Sequence, residues 1–519
     1  MRSKNAVKNA TVNLIARILE QIIAFISRTI FIHFLSLEYL GITSLFSNVL
    51  SVLNLAELGI GTAINVALYK PLAEKNVIQV KSYMNFYKKA YRVIGGVILV
   101  VGLILIPFLP YLIKGSTDLV DINIAYIIFL AKSVFSYWCL AYKRTIMDAD
   151  QKNYIVTIVQ YLVSGGCKIL QIFCLITLNS NPMRCFYIYC VIDMFASLIT
   201  NLIISRIVDK KYSYLNDSNN ITLSDQQKKE LYKTVFGAAV YKISSTINVS
   251  ADSIIISAFL GSVILGLYSN YLTIAIAVIS IVSMIFNSIT ASIGNLNAIE
   301  SEEKKREVFN SLHLAAFWMY GFCVICLWVL LNPFVSTLWL GSEYTLPELV
   351  VFALCMNYLV DGMMEAPVRF RNACGLYWQS RYRAIISVIV NVILSIIAVA
   401  VLHWDIPGIL LATIISRIFV TLTIDTKIVH KYVLKMSPTR YFIKYFLSLA
   451  TVIVTGGVTK IICNKLPDDQ ILFFWIRFLI CLIIPNTLWM FLFHRMKEFV
   501  YLRDMTFSVL KKLHPQKIK

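Results

Sequence analysis

Apolar stretches of roughly 20 residues, each long enough to cross about 30 Å of hydrocarbon as a helix, recur along this 519-residue chain from one end to the other. No water-soluble domain hides so many in a core. In lipid, each backbone N–H and C=O of such a stretch must be satisfied within its own segment, which the α-helix does. The chain therefore reads as an all-α polytopic membrane protein of about fourteen transmembrane helices, centred near residues 23, 53, 100, 130, 165, 196, 247, 278, 325, 357, 391, 420, 451 and 483. With 58% of residues hydrophobic and 15% charged, little is left for soluble domains. The basic start, "MRSKNAVKNATVNLIARILE", leads into a long apolar run without a small-residue cleavage site, and reads as a retained first span.

A formal charge of +20 suggests nucleic acid until its distribution is read. Lys and Arg crowd the start, the even-numbered connections and the tail: Lys70, Lys75, Lys81, Lys88, Lys89 and Arg92 in the second, Lys210, Lys211, Lys228, Lys229 and Lys233 in the sixth, Arg369, Arg371, Arg381 and Arg383 in the tenth. Odd-numbered connections hold almost none beyond Lys114, Arg184 and Lys465. By the positive-inside rule both termini are expected in the cytoplasm, with an even number of spans. The basic balance reports orientation, and no nucleic-acid partner is implied.

The longest polar interruption, "DKKYSYLNDSNNITLSDQQKKE", reads as a linker at 209–230 between two six-helix bundles, 1–208 and 231–436. The bundles resemble each other. "FLSLEYLG" (Phe34 to Gly41) and "FLGSVILG" (Phe259 to Gly266) share FL-x4-LG at an offset of 225; "PFLPYLIKGS" and "PFVSTLWLGS" share PF-x6-GS at 226; "IISRI" occurs at 203–207 and 414–418. Three matches in one order make an internal repeat. A unit of six helices keeps both copies in the same orientation, related by an axis along the membrane normal, a frame used by alternating-access transporters. A further helix pair at 437–495 lies outside the repeat, either widening a lateral opening or packing peripherally, and 496–519 is a basic cytoplasmic tail.

Charges at mid-bilayer cost a few kcal/mol on insertion scales and usually face a partner or a wet cavity, so they mark candidate sites. In the first span Arg17, Glu20 and Arg28 share one helical face. Either they line a cavity, or the two arginines snorkel to opposite interfaces while Glu20 neutralises Arg17. At the repeat offset Arg17 falls on Lys242 in the seventh span, where Lys242, Ser245, Val249 and Asp252 also follow helical spacing. A cation at the same place in both copies suits a bound anion. Lys168 stands near the middle of the fifth span with Gln160, Ser164 and Gln171 on its face, too deep for easy snorkelling. The second span carries Asn48, Ser51, Asn54 and Glu57. The tenth sets Asn357, Asp361, Glu365 and Arg369 four apart, either as exchangeable carboxylates or as an intrahelical Glu365–Arg369 pair in a helix kinked at Pro367. Lys132 and Asp193 either line the cavity or pair with neighbours, and Arg206 and Arg417 are expected towards the cytoplasmic membrane surface.

Enzyme chemistry is missing from the sequence. No G-x4-G-K-[ST] loop is present, "CVIC" at 323–326 lies inside a span without further zinc ligands, and "DAD" at 148–150 has no nucleotide-binding domain around it and reads as a solvated loop. The cysteines read as small core residues.

The stretch "YLGITSLFSNVLSVLNLAELGIGTAINVALYKPLAEKN", with a second span ending in L-x-L-A-E-L-G-I-G before a basic Y-K-P-L-A-E-K loop, resembles the polysaccharide-transporter branch of the MOP (MATE-like) exporter superfamily, the Wzx-type flippases. The resemblance implies two MATE-like bundles in the bacterial cytoplasmic membrane. They would translocate an undecaprenyl-diphosphate-linked oligosaccharide by alternating access, for O-antigen, capsule or other surface polysaccharide, beside a polysaccharide polymerase and assembly proteins. For such a headgroup Arg17, Arg28, Lys168 and Lys242 would supply cations. Glu20, Glu57, Asp252, Asp361 and Glu365 would balance those charges or couple the cycle to H+ or Na+; no cofactor or metal is called for. A MATE-type multidrug or cation antiporter is the nearest rival, followed by a membrane polymerase or ligase and a non-transporting scaffold.

Overall fold

In the computed structural model the described residues are 19, 21–54, 60–113, 120–139, 141–150, 152–178, 181–216, 222–376, 378–467 and 470–513, and within helices the side chains of 62, 66, 216, 230, 233–245, 248–249, 291, 298 and 506–513 are not described. All regular structure among them is helical. Ten helices are long and apolar enough to cross a membrane, or eleven when 122–138 and 141–149, bent by 51° at a short break, count as one span; 21–34 and 37–53 are shorter apolar helices. The chain divides into two compact units, Met1–Gly266 and Leu267–Lys519.

The first unit holds α1 (21–34), α2 (Leu37–Leu53), α3 (Ile60–Ala73), α4 (Val77–Leu105), α5 (Ile122–Trp138), α6 (Arg144–Ala149), α7 (Asn153–Thr177), α8 (Pro182–Lys211) and α9 (Asp225–Leu260). Helix starts follow from local chemistry. Asp121 accepts from the Asn123 and Ile124 amides at 2.9 and 3.2 Å. Asn181 caps α8 ahead of Pro182, and Ser224 and Gln227 form a capping box on α9. The core is aromatic: Phe46 packs edge-on against Tyr126 and Phe129, and the buried Tyr126 hydroxyl donates to the Gly102 carbonyl.

Helix α9, the seventh span, packs on α2 and α3 within the first unit. Beside it, the repeated FL-x4-LG motif brings α2 against the start of α10 (Ser262–Ile299), the helix that follows α9. A Cβ on Gly41 would fall 1.8 Å from the Ser262 carbonyl oxygen, and one on Gly266 would fall 2.3 Å from the Leu37 carbonyl oxygen. The two motif copies cross reciprocally, backbone against backbone, and only glycine fits at either crossing.

The second unit begins within α10 (Ser262–Ile299) and continues with α11 (Glu302–Pro333), α12 (Glu348–Gly362), α13 (Glu365–Ala373), α14 (Arg381–Ala400), α15 (Asp405–Leu434), α16 (Thr439–Cys463), α17 (Ile471–Phe493) and α18 (Lys497–Leu513). Buried polar groups zip α14 to α15: Asn391 donates to Thr413 at 2.8 Å, and Ser416 to the Ser387 carbonyl at 2.7 Å. The pair outside the repeat, α16 and α17, docks on α11. Trp489 lies over Phe317, Trp318 donates to Asn486 at 2.7 Å, and a Cβ on Gly321 would meet Trp489 and Val452 at 2.9 Å. The pair is packed into this unit, not loosely appended to it.

Candidate functional site

Each unit carries a polar cluster inside its spans. In the first, Lys132 of α5 and Asp193 of α8 form an ion pair. A cavity of about 250 Å³ opens beside them, lined by Ser47, Asn54, Lys132, Ser133, Ser136 and Ser197 among others. Ser133 donates to Asn54 at 2.7 Å. Of the two roles open to Lys132 and Asp193, the structure gives both: they pair, and Lys132 lines a cavity. The pair is partly exposed, with side chains 34% and 42% accessible, and the hydroxyls and amide beside it make the cavity wall polar.

A second grouping in this unit involves α1, α7 and α8. Phe31 packs edge-on against Tyr189 at 5.0 Å, and the buried Gln171 amide donates to the Tyr189 carbonyl at 2.9 Å. Arg28 lies on α1 one turn before Phe31. Lys168 lies one turn before Gln171 on α7, half-buried. Two of the four proposed cations thus stand on helices that meet at one tyrosine. Arg17, Glu20 and Glu57 lie outside the described residues, as does the side chain of Lys242, whose backbone is in α9. Asp252 is buried in α9 with Ser250, Ser253 and Ser257.

In the second unit the even spacing of the tenth span is interrupted. Helix α12 ends at Gly362 and α13 begins at Glu365. The break lies at Met363, four residues before Pro367, the carbonyl that a proline ring crowds and cannot bond. Asp361 and Glu365 therefore have different surroundings. Glu365 is buried, accepts from the Tyr320 hydroxyl at 2.8 Å and pairs with Arg369, which also reaches Asn287. Asp361 is half-exposed, 3.7 Å from Arg417. Arg417 donates to the Asn357 carbonyl at 2.7 Å and to its side-chain oxygen at 2.5 Å. Arg417 is thus bound to the tenth span, where Asn357 and Asp361 offer it three oxygens.

Sequence reasoning missed one cluster. Asp425 of α15, 1% exposed, accepts from Arg371 at 2.6 Å and Arg383 at 2.9 Å. Both arginines were counted as basic connection residues, and the lone acid within a basic, apolar stretch, "TLTIDTKIVHK", was the available signal. The first unit has a looser counterpart, in which Lys143 pairs with Asp209 at 2.5 Å and with Ser205 at 3.0 Å. The "DAD" stretch, expected as a solvated loop, is instead the end of α6, with Ala149 buried and Asp150 at the C-cap; Asp150 takes an ion pair from Lys152 and a 2.5 Å hydrogen bond from Tyr212. Burial pushes the Tyr212 phenol well above its ordinary pKa, and the Asp150 carboxylate adds to this. Asp150 is thus tied into a local knot, and no group of three or more metal-ligating side chains occurs among the described residues.

Two further cavities are less suited to a charged headgroup. One, about 540 Å³ between α12, α15 and α16, is lined by apolar side chains such as Met356, Leu411, Leu449 and Ile453. The other, about 550 Å³, contains Glu348, Lys460 and Arg477. There Lys460 pairs with Glu348 at 2.9 Å, and Arg477 donates to carbonyls at the end of α16 (Cys463 at 3.3 Å) and just beyond it (Leu466 at 2.6 Å), the role of a helix C-cap.

A family model described as polysaccharide biosynthesis protein matches residues 6–293. Among solved structures the chain is similar to a lipid II flippase, MurJ, in an inward closed conformation, with a TM-score of 0.64 and 14% identity over 94% of this chain and 99% of that one. It is also similar to an inward-facing multidrug-resistance MATE family transporter of the MOP superfamily, with a TM-score of 0.60 and 14% identity over 86% of this chain and 99% of that one. A MATE transporter of Vibrio cholerae, VcmN, gives 0.54 and 12% over 83% and 99%. No curated protein matches the sequence. At these identities the likeness is one of fold, and it holds over nearly the whole chain.

Proposed function

Because this chain belongs to the polysaccharide biosynthesis protein family and has the fold of membrane transporters, not enzymes, we propose that it is a flippase for lipid-linked oligosaccharides. Its cargo is a repeat unit on undecaprenyl diphosphate, carried across the bacterial cytoplasmic membrane by alternating access for O-antigen, capsule or another surface polysaccharide. Both termini lie in the cytoplasm, and a polysaccharide polymerase acts on the delivered units. The observation that carries the reading is the placement of Arg28 and Lys168 on helices that meet at Tyr189. A diphosphate is an anion that cations on neighbouring helices bind through charge-assisted hydrogen bonds. Arg17 and Lys242 complete the proposed cation set. Glu20, Glu57, Asp252, Asp361 and Glu365 balance it or couple transport to H+ or Na+. The fold's likeness to a lipid II flippase supports a lipid cargo.

The test is restoration of surface polysaccharide in a flippase-deficient strain. The wild-type chain is expected to restore it. Lys168→Ala and the Arg17→Ala, Lys242→Ala double variant are expected to fall at least tenfold short at equal membrane abundance. Normal polysaccharide from the double variant refutes the cation role. The MATE-type antiporter reading draws on the second fold likeness; under it the wild-type chain would lower intracellular ethidium and leave polysaccharide unrestored.

A further inference from the structure

The tenth span breaks where the helix pair outside the repeat touches it. At the break the Met364 amide donates to the Asp361 carbonyl at 3.1 Å, not to Val360 four residues back. An orphaned carbonyl away from water costs free energy until it finds a donor. The Val360 carbonyl accepts from the Tyr445 hydroxyl of α16 at 2.9 Å, and Tyr445 is 0% exposed. Two other helices grip the same elbow. Arg417 of α15 holds the Asn357 carbonyl one turn above it. Tyr320 of α11 lies so close that a Cβ on Gly362 would fall 2.0 Å from its ring, while its hydroxyl holds Glu365.

The first unit has a corresponding break, the 51° bend after α5, and a corresponding tie from the sixth span, where Asn201 of α8 donates to the Ser136 carbonyl at 3.5 Å. The repeat has no helix equivalent to α16, so the Tyr445 tie is an addition to the second copy alone. We propose that Tyr445 is a positioning residue for transport: through its hydroxyl the added pair holds the break in the tenth span, and with it the placement of Asp361, Glu365 and Arg369. The role rests on the reading that these side chains serve a transport cycle.

Tyr445→Phe removes the hydroxyl and keeps the ring. Tyr441→Phe is the control, because Tyr441 is also buried on α16 and its hydroxyl has no hydrogen-bond partner among the described residues. Hydrogen exchange is measured on the purified full chain, with polysaccharide restoration alongside. In Tyr445→Phe the amides of 361–368 are expected to exchange about 5-fold faster, the factor expected for one lost buried hydrogen bond, and restoration falls. Tyr441→Phe changes neither. Equal elbow exchange in the two variants overturns the proposal. Should Tyr445→Phe fail to fold, 3-fluorotyrosine at 445, a stronger donor of nearly the same shape, is expected to slow elbow exchange, and unchanged exchange again overturns it. Failure of the wild-type chain to restore polysaccharide would overturn the flippase reading, while the exchange comparison still decides whether Tyr445 holds the elbow.

Discussion

Alanine in place of Gly41 is expected to leave little folded protein. The new Cβ would sit 1.8 Å from the Ser262 oxygen and 2.6 Å from the Ser262 carbonyl carbon. Both are backbone atoms, so no rotamer relieves the clash, and the crossing helices must move apart by more than 1 Å, an order-of-magnitude inference from contact radii. Ordinary core overpacking costs roughly 1–3 kcal/mol; a backbone clash at a helix crossing belongs at or above the top of that range. Gly266→Ala meets the Leu37 carbonyl oxygen at 2.3 Å and is expected to behave alike. Gly96→Ala is the control, since nothing lies within 4 Å of its Cβ and alanine favours a helix by about 1 kcal/mol over glycine. Size-exclusion profiles and thermal melting in detergent measure the outcome. A Gly41→Ala protein that melts with the wild type would show that the crossing is looser than described.

The crossing shows what was legible in the sequence. FL-x4-LG stood out as a repeat because both glycines recur at one offset, but which atoms forbid a side chain is a tertiary fact that no spacing encodes. Apolar length carried the fold class, since the bilayer imposes it on the chain locally. The tenth-span stripe was only partly legible. Four-residue spacing puts Asn357, Asp361, Glu365 and Arg369 on one face only if the helix continues, and the break ahead of Pro367 divides them between α12 and α13. The Glu365–Arg369 pair, one of the two alternatives, survives because both residues lie beyond the break. Arg371 and Arg383 were read as orientation signals because a charge count records sign and not partner. Asp425, which holds them, is 42 residues or more away in sequence.

Asp425→Asn is expected to be among the most destabilising polar substitutions in the second unit. It removes the carboxylate between two guanidiniums, of which Arg371 is 1% exposed and Arg383 12% exposed at the side chain. Breaking a buried ion pair from one side typically costs about 3–5 kcal/mol, because the remaining charge stays buried without compensation. Arg371 keeps its bonds to Asn372 at 3.2 and 2.9 Å, which orient the guanidinium without neutralising it. The counterpart in the first unit supplies the contrast. Asp209 also ties the short helical segment after α5 to the last helix of the copy; Lys143 is as little exposed as Arg383, at 12%, but Asp209 is 31% exposed against 1% for Asp425 and holds one cation instead of two. Asp209→Asn is therefore expected to cost about 1 kcal/mol, near the upper end for exposed pairs. Paired melting curves of the two variants at one detergent and salt concentration measure the difference. If Asp425→Asn melts no lower than Asp209→Asn, the Arg371–Asp425–Arg383 cluster is not a buried lock. If the triple variant Asp425→Leu, Arg371→Met, Arg383→Met, which removes all three charges, recovers stability lost by Asp425→Asn, the cost lay in the uncompensated charge and not in the lost contact.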